Sequence, residues 1–458
     1  MAKRRKWNRR KQSYKGITFW LTKRLCELLV DFWFIPLKWL YKRIVRKIKK
    51  VWRRKPTQPA NRRVSFCESD RRRHTYLIGA TGTGKSETIK AMVHQYLTSE
   101  EQAALVVIDP HGKLAQEIAR FKENRKSDRL VYVKPDLMEF RGPALNPLVL
   151  KDTSTWSVTV QTEEIISVFR ELLDTGTPTQ KFTAQTEALL YPCIYTLLKM
   201  GDRSLHDLIR FMDPNFAGPY LDYAAKYLKN PAHVDFFERL YPEKSYDRTR
   251  LSISTKLQSV FHSMPVSLFL NSPSTLDLEA LIENRQLIVF DFGDLGDLSR
   301  ETLGRFIVAQ LQSYARRRPL NSMPIHLFID EAHQFISPSL GRILKEARKF
   351  GLHATLVQQT YGEGMSPSMR DIVSGNTAVK ITGMNSEKSL KSFSENTGTD
   401  MIELRSLRQH EYLVKSGDKP PQKFKISGKT LGNRNAMSMS DWKVVLKRQV
   451  ERYYHQAT

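Results

Sequence analysis

A glycine-rich segment has the residue types and spacing that point most directly to chemistry. It fits the pattern GxxxxGK(S/T), in which glycines let the backbone curl until several N–H groups face one anion. In this pattern the lysine offers a positive charge to phosphates, and the serine offers a hydroxyl ligand to Mg²⁺. The residues expected to contact ATP are Gly79, Ala80, Thr81, Gly82, Thr83, Gly84, Lys85, Ser86 and Glu87. Lys85 is also expected to act in catalysis, and Ser86 to hold the metal ion.

The elements on either side of this loop are the ones that a phosphate site requires. Residues 74–78 form a short β-like run that predicts a strand, and residues 85–97 predict a helix. The loop therefore joins the end of a strand to the N-terminus of a helix, where unpaired N–H groups and the helix dipole favour phosphate. A chance glycine-rich turn is the weaker interpretation, because both flanking elements are present.

Three other apolar runs end in an aspartate, at Asp109, Asp291 and Asp330. Only Asp330 is followed at once by a second acid, Glu331. We therefore expect Asp330 to hold Mg²⁺ through a water and Glu331 to polarise the water that attacks the γ-phosphate. Asp109 is either close to this pocket or structural, and Asp291 is expected to be structural.

Two further positions follow from the next strand, which is predicted over residues 353–357. It leads to Gln358 and Gln359, and the carboxyl ends of parallel strands line the ligand crevice. One of the two glutamines is expected to reach the γ-phosphate or its attacking water, the alternative being a surface loop pair. Arg348 lies on a helix predicted over residues 340–350 and is either a finger for a neighbouring subunit's site or an ordinary solvated arginine.

Taken together, these residues resemble the FtsK–HerA superfamily of DNA-pumping ATPases, and within it the conjugative type IV secretion ATPases and coupling proteins. The resemblance spans about residues 74–400. It rests on the segments GATGTGKS (79–86), VVIDPHGKL (106–114), ALNPL (144–148), LFIDEAHQF (327–335) and ILKEARKFGLHATLVQQT (343–360). It implies that Arg348 is an inter-subunit arginine and Gln359 a glutamine sensor.

The resemblance implies an ATP-hydrolysing, DNA-stimulated translocase that forms a ring, with six subunits expected. Conjugative DNA transfer is the preferred role, with relaxosome or secretion-channel proteins as partners. A soluble HerA-like helicase, a genome-packaging ATPase and a membrane-docked nucleotide switch that does not pump DNA remain alternatives, and a small-molecule kinase is a weaker one. DNA held in a central channel by basic residues would be bound through its phosphates, without reading of bases.

The positive charge is concentrated in the first 63 residues. Of the 74 Lys and Arg residues in the chain, 22 fall here against two acids, so this leader carries +20 of the formal net charge of +27. Five of the seven tryptophans also lie in it. The composition changes near residue 63, which predicts a boundary between two parts with different roles.

This leader is expected to dock on an anionic membrane surface. Its apolar runs are interrupted by Lys23, Arg24, Glu27 and Asp31, so it matches neither a cleavable signal peptide nor the ~20 apolar residues of a membrane span. After Pro36, apolar residues recur at helical spacing with Lys and Arg between them, which is typical of a helix lying in the membrane surface. Nucleic-acid binding, a tilted span and a partner-binding helix are the alternatives. The expected location is cytoplasmic, on the inner face of the cell membrane.

The remaining chain predicts an α/β fold, a RecA-like P-loop NTPase with a mostly parallel sheet and an inserted all-α domain. The predicted divisions are 1–63 for the leader, 64–151 and 276–430 for the ATPase domain, 152–275 for the insert and 431–458 for a helical tail. Residues 150–275 contain 13 basic and 14 acidic residues, so partner recognition is favoured over gripping of DNA phosphates. The three cysteines are too few for a disulfide framework or a zinc site.

Overall fold

The computed structural model describes residues 72–99, 102–150, 153–173, 182–426 and 435–456. The basic leader, with its predicted lipid or nucleic-acid binding, lies outside the described residues. Within the described ranges, no helix combines the length and the apolar character needed to cross a bilayer.

The strands are short and, in the centre of the molecule, almost continuously apolar. They are β1 His74–Ile78, β2 Ala104–Asp109, β3 Leu130–Val133, β4 Arg141–Gly142, β5 Leu287–Asp291, β6 Ile325–Ile329, β7 Leu352–Gln358, β8 Thr377–Thr382, β9 Glu411–Ser416, β10 Gln422–Lys425 and β11 His455–Gln456. Continuous apolar runs are typical of strands that are buried on both faces of a parallel sheet.

The helices alternate with these strands, except for a long helical stretch between β4 and β5. They are α1 Lys85–Thr98, α2 Lys113–Ala119, α3 Thr155–Leu173, α4 Ala184–Met200, α5 Leu205–Met212, α6 Gly218–Tyr227, α7 Pro231–Asp235, α8 Asp247–Phe261, α9 Met264–Asn271, α10 Leu278–Glu283, α11 Asp297–Arg317, α12 Pro338–Glu346, α13 Pro367–Asn376, α14 Glu387–Thr397, α15 Met401–Arg405 and α16 Met439–Tyr453. The boundaries 152 and 275 of the inserted domain stay a prediction.

Nine strands form one sheet in the order β10-β9-β8-β1-β7-β6-β2-β5-β3. The strands from β8 to β3 run parallel, and β9 and β10 extend the β8 edge antiparallel. Helices α1, α2 and α16 pack on one face, whereas α11, α12 and the helices between β4 and β5 pack on the other. The predicted mostly parallel sheet with helices on both faces is confirmed.

The register brings the carboxyl ends of the central strands to one edge. Ile78 at the end of β1 pairs with Gln358 at the end of β7, and Ile329 at the end of β6 pairs with Leu356 on β7. Side chains that follow these three strands therefore meet in one crevice.

One predicted helix is shorter than expected. We predicted a single helix over residues 340–350, but α12 ends at Glu346 and a 3₁₀ turn, Ala347–Phe350, follows it. The turn ends at Gly351, which has φ 84° and lies so close to Ser322 that a Cβ atom would stand 2.7 Å from the Ser322 carbonyl oxygen. This left-handed glycine ends the 3₁₀ turn and redirects the chain into β7.

The C-terminal helix covers the β3 edge of the sheet. Gln449 of α16 accepts from the Tyr132 N–H at 2.9 Å and donates to the Leu130 carbonyl at 3.0 Å. The Tyr454 hydroxyl donates to the Tyr132 carbonyl at 3.0 Å and accepts from the Lys134 N–H at 2.9 Å. These two side chains form hydrogen bonds with backbone groups of β3 and Lys134 that would otherwise be free to pair with a further strand.

Candidate nucleotide site

The loop between β1 and α1 has the backbone conformation of a phosphate cradle. Gly82 and Gly84 have φ values of 77° and 102°, in the left-handed region that favours glycine. Gly84 is the N-cap of α1, and because it has no side chain it leaves the first N–H groups of the helix without a side-chain acceptor. Since the first N–H groups of a helix have no intrahelical acceptor, this end of α1 is suited to an anion.

The lysine of the loop is held inside the crevice. Lys85 is buried, and its Nζ donates to the Gly79 carbonyl at 2.9 Å and lies 3.9 Å from Oε1 of Glu331. The structure thus brings the predicted lysine and the predicted acid side by side. Ser86 is exposed at the start of α1, and Glu87 pairs with Lys90 at 2.5 Å, which directs the Glu87 carboxylate along the helix.

The acid pair lies at the end of β6, where the chain turns sharply. The Asp330 N–H still pairs with the Ile108 carbonyl at 3.1 Å, but Glu331 has φ 44° and ψ 51°. A left-handed glutamate is rare, and such strain is found mostly at functional sites. It projects the buried Glu331 carboxylate towards Lys85.

One oxygen of Glu331 has no hydrogen-bond donor among the described residues. Oε1 accepts a hydrogen bond from Nε2 of Gln359 at 3.3 Å. Oε2 is buried and finds no hydrogen-bond partner among the described residues, the nearest basic nitrogen being Nδ1 of His333 at 3.5 Å. A buried carboxylate oxygen without a donor is unfavourable, and a water molecule would satisfy it.

Asp330 has the electrostatics of a cation ligand. Burial, together with the neighbouring carboxylates of Asp109 and Glu331, raises the pKa of Asp330 to about 7, while Lys85 acts in the opposite direction. A divalent cation would offset both the burial and the carboxylate repulsion. No group of three or more potential ligand side chains occurs in the part of the chain that the structure describes. Mg²⁺ is usually bound through one or two carboxylates together with phosphates and waters, and Asp330 would be one such carboxylate.

The two adjacent glutamines have different environments. Gln359 accepts from the Thr81 hydroxyl at 3.2 Å and donates to Glu331, so it links the phosphate loop to the acid. Gln358 is fully buried, accepts from the Tyr76 hydroxyl at 2.5 Å and donates to the Glu363 carbonyl at 3.2 Å. The structure therefore brings Gln359, and not Gln358, to Glu331.

The other two strand-terminal aspartates are occupied by bonds within the chain. Asp109 is fully buried and accepts from the N–H groups of His111 and Ala115, both at 2.8 Å, which caps the first turn of α2. Asp291 accepts from the Tyr132 hydroxyl and lies 3.8 Å from Nζ of Lys134. The negative charge of Asp109 acts on the nucleotide site, because it raises the pKa of Asp330.

Arg348 does not join the site within one chain. It is exposed in the turn before β7, at the amino end of the central strands, where its charge acts on His74 and His353. Gln359 lies just past the opposite end of the same strand. A seven-residue strand measures about 20 Å, so the two side chains are far apart.

Sequence reasoning missed a segment that contacts the phosphate loop from the far end of the chain. Gln409 donates to the Gly82 carbonyl at 3.1 Å, and the Tyr412 hydroxyl lies 3.5 Å from the Thr83 hydroxyl. Asn385 donates to the Gln359 carbonyl at 2.7 Å. These contacts join residues up to 329 positions apart, and no local motif signals them.

The sheet, the phosphate loop and the acid pair define a P-loop ATPase with a RecA-like fold. A family profile described as the central domain of the helicase HerA matches residues 67–311, more than half of the chain. The chain belongs to this family, which confirms the predicted FtsK–HerA membership. A second profile, described as the TraM recognition site of TraD and TraG, matches residues 324–442.

Solved structures show the same fold. The plasmid coupling protein TrwB in complex with the non-hydrolysable ATP analogue ADPNP superposes with a TM-score of 0.60 at 17% identity, over 85% of this chain and 93% of TrwB. TrwB with ADP and Mg²⁺ gives 0.57 at 16% identity, over 85% and 93%. VirB4 of Thermoanaerobacter pseudethanolicus gives 0.51 at 16% identity, over 81% and 91%. No curated protein sequence matches the chain.

Proposed function

We propose that this protein is an ATP-hydrolysing DNA translocase that acts as a coupling-protein-like ATPase in conjugative DNA transfer. The observation that carries the proposal is the connected set of Lys85, Glu331, Gln359 and Thr81 around the phosphate loop, in which one Glu331 oxygen is left without a donor. This arrangement serves triphosphate hydrolysis, because it combines a charge for the phosphates with a carboxylate for the attacking water.

Substrate binding follows from the loop geometry. The N–H groups at the start of α1 hold the phosphates of ATP, and the Lys85 ammonium exchanges its bond to the Gly79 carbonyl for the phosphate chain. Ser86 and Asp330 would hold Mg²⁺, which when bound neutralises negative charge that develops on the phosphates. Asp330 favours such an ion because its own negative charge is otherwise destabilised by burial.

Hydrolysis uses the free oxygen of Glu331. Oε2 accepts a hydrogen bond from the attacking water and draws its proton away as the water approaches the γ-phosphate. Gln359 donates to Oε1 of Glu331 and accepts from Thr81. These two bonds fix the orientation of the Glu331 carboxylate relative to the phosphate loop.

Ring assembly would complete the site. Arg348 lies at the opposite end of the sheet from Glu331, and its exposed guanidinium can reach a site only on a neighbouring subunit. A guanidinium placed there stabilises charge on the γ-phosphate and makes hydrolysis depend on assembly. A ring of six subunits with DNA in its channel is the arrangement we propose.

The proposed protein partners are supported by one of the two family matches. The match of residues 324–442 to the TraM recognition site of TraD and TraG supports contacts with relaxosome or secretion-channel proteins. The leader would hold the ring on the inner, cytoplasmic face of the cell membrane through anionic lipid.

The match to HerA favours, as a second candidate, a HerA-like helicase that moves DNA without a secretion channel.

The direct test is ATP hydrolysis by the full chain with and without DNA, across a salt series, followed by displacement of a triplex-forming strand. We expect DNA to stimulate hydrolysis, stimulation to fall as salt rises, and strand displacement to require ATP. Lys85→Ala should abolish both activities, whereas Lys443→Ala on the exposed face of α16 should leave them unchanged. ATP hydrolysis that ignores DNA at every salt concentration would contradict the translocase and favour a nucleotide switch.

A further inference from the structure

A histidine follows the acid pair by two residues, and the proposed hydrolysis does not use it. His333 lies in the 3₁₀ turn Ala332–Phe335, which begins directly after β6 and the acid pair. Phe335 at the end of this turn is fully buried, and its ring lies so close to Gly304 of α11 that a Cβ atom would not fit between them. This packing fixes the turn that carries His333.

A second segment packs on His333. Gly364 lies in the loop after β7, and a Cβ atom added to it would stand 3.2 Å from Cβ of His333, which is closer than most such contacts. The same loop is tied to the end of β7, because Gln358 donates to the Glu363 carbonyl at 3.2 Å. His333 therefore contacts the loop that follows Gln359, the residue that already holds Glu331.

His333 and Glu331 each have one side-chain atom without a partner, and these two atoms are neighbours. Oε2 of Glu331 and Nδ1 of His333 lie 3.5 Å apart. Both atoms are covered, and neither makes a hydrogen bond within the described ranges. An N–H···O hydrogen bond measures about 2.7–3.2 Å, so a movement of roughly 0.5 Å would join them. Covered polar atoms that stay unpaired are unfavourable, so this one bond would satisfy two of them.

We propose that His333 is a positioning residue for ATP hydrolysis, whose Nδ1–H donates a hydrogen bond to Oε2 of Glu331. The ring then takes the tautomer that carries its proton on Nδ1. A carboxylate oxygen can accept two hydrogen bonds, so Oε2 keeps a lone pair for the attacking water. The inference rests on the proposed ATPase function and adds a residue that orients its base.

The role of this bond follows from the other contacts of the Glu331 carboxylate. Lys85 lies 3.9 Å from Oε1, and Gln359 donates to Oε1 at 3.3 Å, so both contacts act on the same oxygen. A carboxylate held by one oxygen can still turn about it, and that turn moves Oε2 away from the water. Since a misplacement of about 1 Å can lower a rate by about 10²-fold, a donor at Oε2 would matter for hydrolysis.

The first test compares two variants in ATP hydrolysis and ATP binding by the full chain. His333→Leu and His333→Asn have side chains of similar size, but only asparagine keeps an N–H donor near the position of Nδ1. We expect His333→Leu to lower kcat by about 10- to 100-fold with unchanged ATP affinity, and His333→Asn to stay within about threefold of wild type.

The second test repeats His333→Leu in the Glu331→Gln background. Single-turnover hydrolysis measures slow variants, so both backgrounds can be compared. If His333 acts through Glu331, His333→Leu should lower the rate of Glu331→Gln by less than about twofold, because the carboxylate that it orients is already absent. A general effect on the fold would lower both backgrounds by the same factor.

Two controls separate positioning from folding. His262→Leu makes the same change at an exposed position after α8 and should hydrolyse ATP like wild type. Thermal unfolding should give similar midpoints for His333→Leu and His333→Asn, so that a difference in kcat between them reports the donor.

The outcomes separate this inference from the proposed function. A wild-type chain that does not hydrolyse ATP would refute both. With an active wild type, an unchanged kcat in His333→Leu would overturn the positioning role alone, and equal losses in His333→Leu and His333→Asn would overturn the donor role. Equal factors in the two backgrounds would overturn action through Glu331, and a loss of ATP affinity at unchanged kcat would overturn a role in hydrolysis.

Discussion

The two ends of the same three strands, β1, β6 and β7, have opposite chemistry. At the carboxyl ends, Lys85, Glu331 and Gln359 form a charged, polar crevice with an oxygen that lacks a donor. At the amino ends, His74 and His353 are buried, and burial lowers the pKa of His74 to about 4 and that of His353 to about 3. The strands therefore present a reactive edge on one side and a neutral, packed edge on the other.

The comparison indicates where a neighbouring subunit would act in the proposed ring. The only functional candidate at the amino edge of these three strands, among the residues that the structure describes, is the exposed Arg348, which lies one strand length from the acid. A head-to-tail ring would bring the amino edge of one subunit to the carboxyl edge of the next. Such a heterologous interface closes into a ring when the rotation between subunits is suitable.

The largest effect in this comparison is expected when Arg348 is removed from the amino edge, because a neighbouring subunit's site would then lack its arginine. Arg348→Ala should lower kcat for ATP hydrolysis by about 10³-fold, as expected for an arginine finger, while ATP binding is kept. Arg316→Ala, at an exposed position near the end of α11, is the matched control and should remain active.

Rings assembled from a mixture of two variants test whether Arg348 acts on the site of a neighbouring subunit. Arg348→Ala subunits supply an intact Glu331, and Glu331→Gln subunits supply an intact Arg348. Mixed rings should therefore regain part of the ATPase activity that each variant lacks alone. Absence of recovery in rings proven to contain both variants would show that the two edges do not meet.

A smaller effect should distinguish the two adjacent glutamines at the reactive edge. Gln359→Ala should lower kcat by about 10- to 100-fold with little change in stability, because it frees Glu331 and Thr81 from each other. Gln358→Ala should instead lower the free energy of unfolding by about 1–3 kcal/mol, because the buried Tyr76 hydroxyl loses its acceptor. Steady-state kinetics and urea unfolding measure the two effects, and the reverse assignment would contradict the site geometry.

The smallest effect concerns the packed edge and its dependence on pH. Because the folded pKa of His353 lies below the ordinary value of about 6.5, its neutral form stabilises the fold above pH 6.5, and that contribution is lost as pH falls from 6.5 towards about 3. His353→Leu removes the titration, so the free energy of unfolding should fall less steeply over this range, by up to about 1.4 kcal/mol per pH unit. Urea unfolding at pH 7, 6 and 5 measures it, and an unchanged slope would contradict the burial argument.

Local patterns made the reactive edge predictable. The phosphate loop, the Asp330–Glu331 pair and the apolar strands each occupy a few consecutive residues, and the carboxyl ends of parallel strands meet at one edge. Fold class and family were therefore accessible from the sequence. The roles predicted for Lys85, Glu331, Gln359 and Arg348 remain predictions, although the geometry brings the first three together.

What the sequence did not reveal depends on contacts between distant segments. Gln409 reaches Gly82 only because β9 and β1 lie in one sheet, and nothing in its local sequence indicates this. The choice between Gln358 and Gln359 depends on which way each side chain points from the end of β7. Periodicity also does not show that the 3₁₀ turn after α12 ends at Gly351, where the backbone comes close to Ser322.

The central claim is that Glu331 activates the water at a triphosphate held by Lys85. The most direct measurement is ATP hydrolysis and ATP binding by Glu331→Gln, with Glu395→Gln on the exposed face of α14 as the matched control. The account predicts that Glu331→Gln binds ATP as tightly as wild type but hydrolyses it about 10²- to 10⁴-fold more slowly, and that Glu395→Gln is fully active. Wild-type hydrolysis by Glu331→Gln would contradict it.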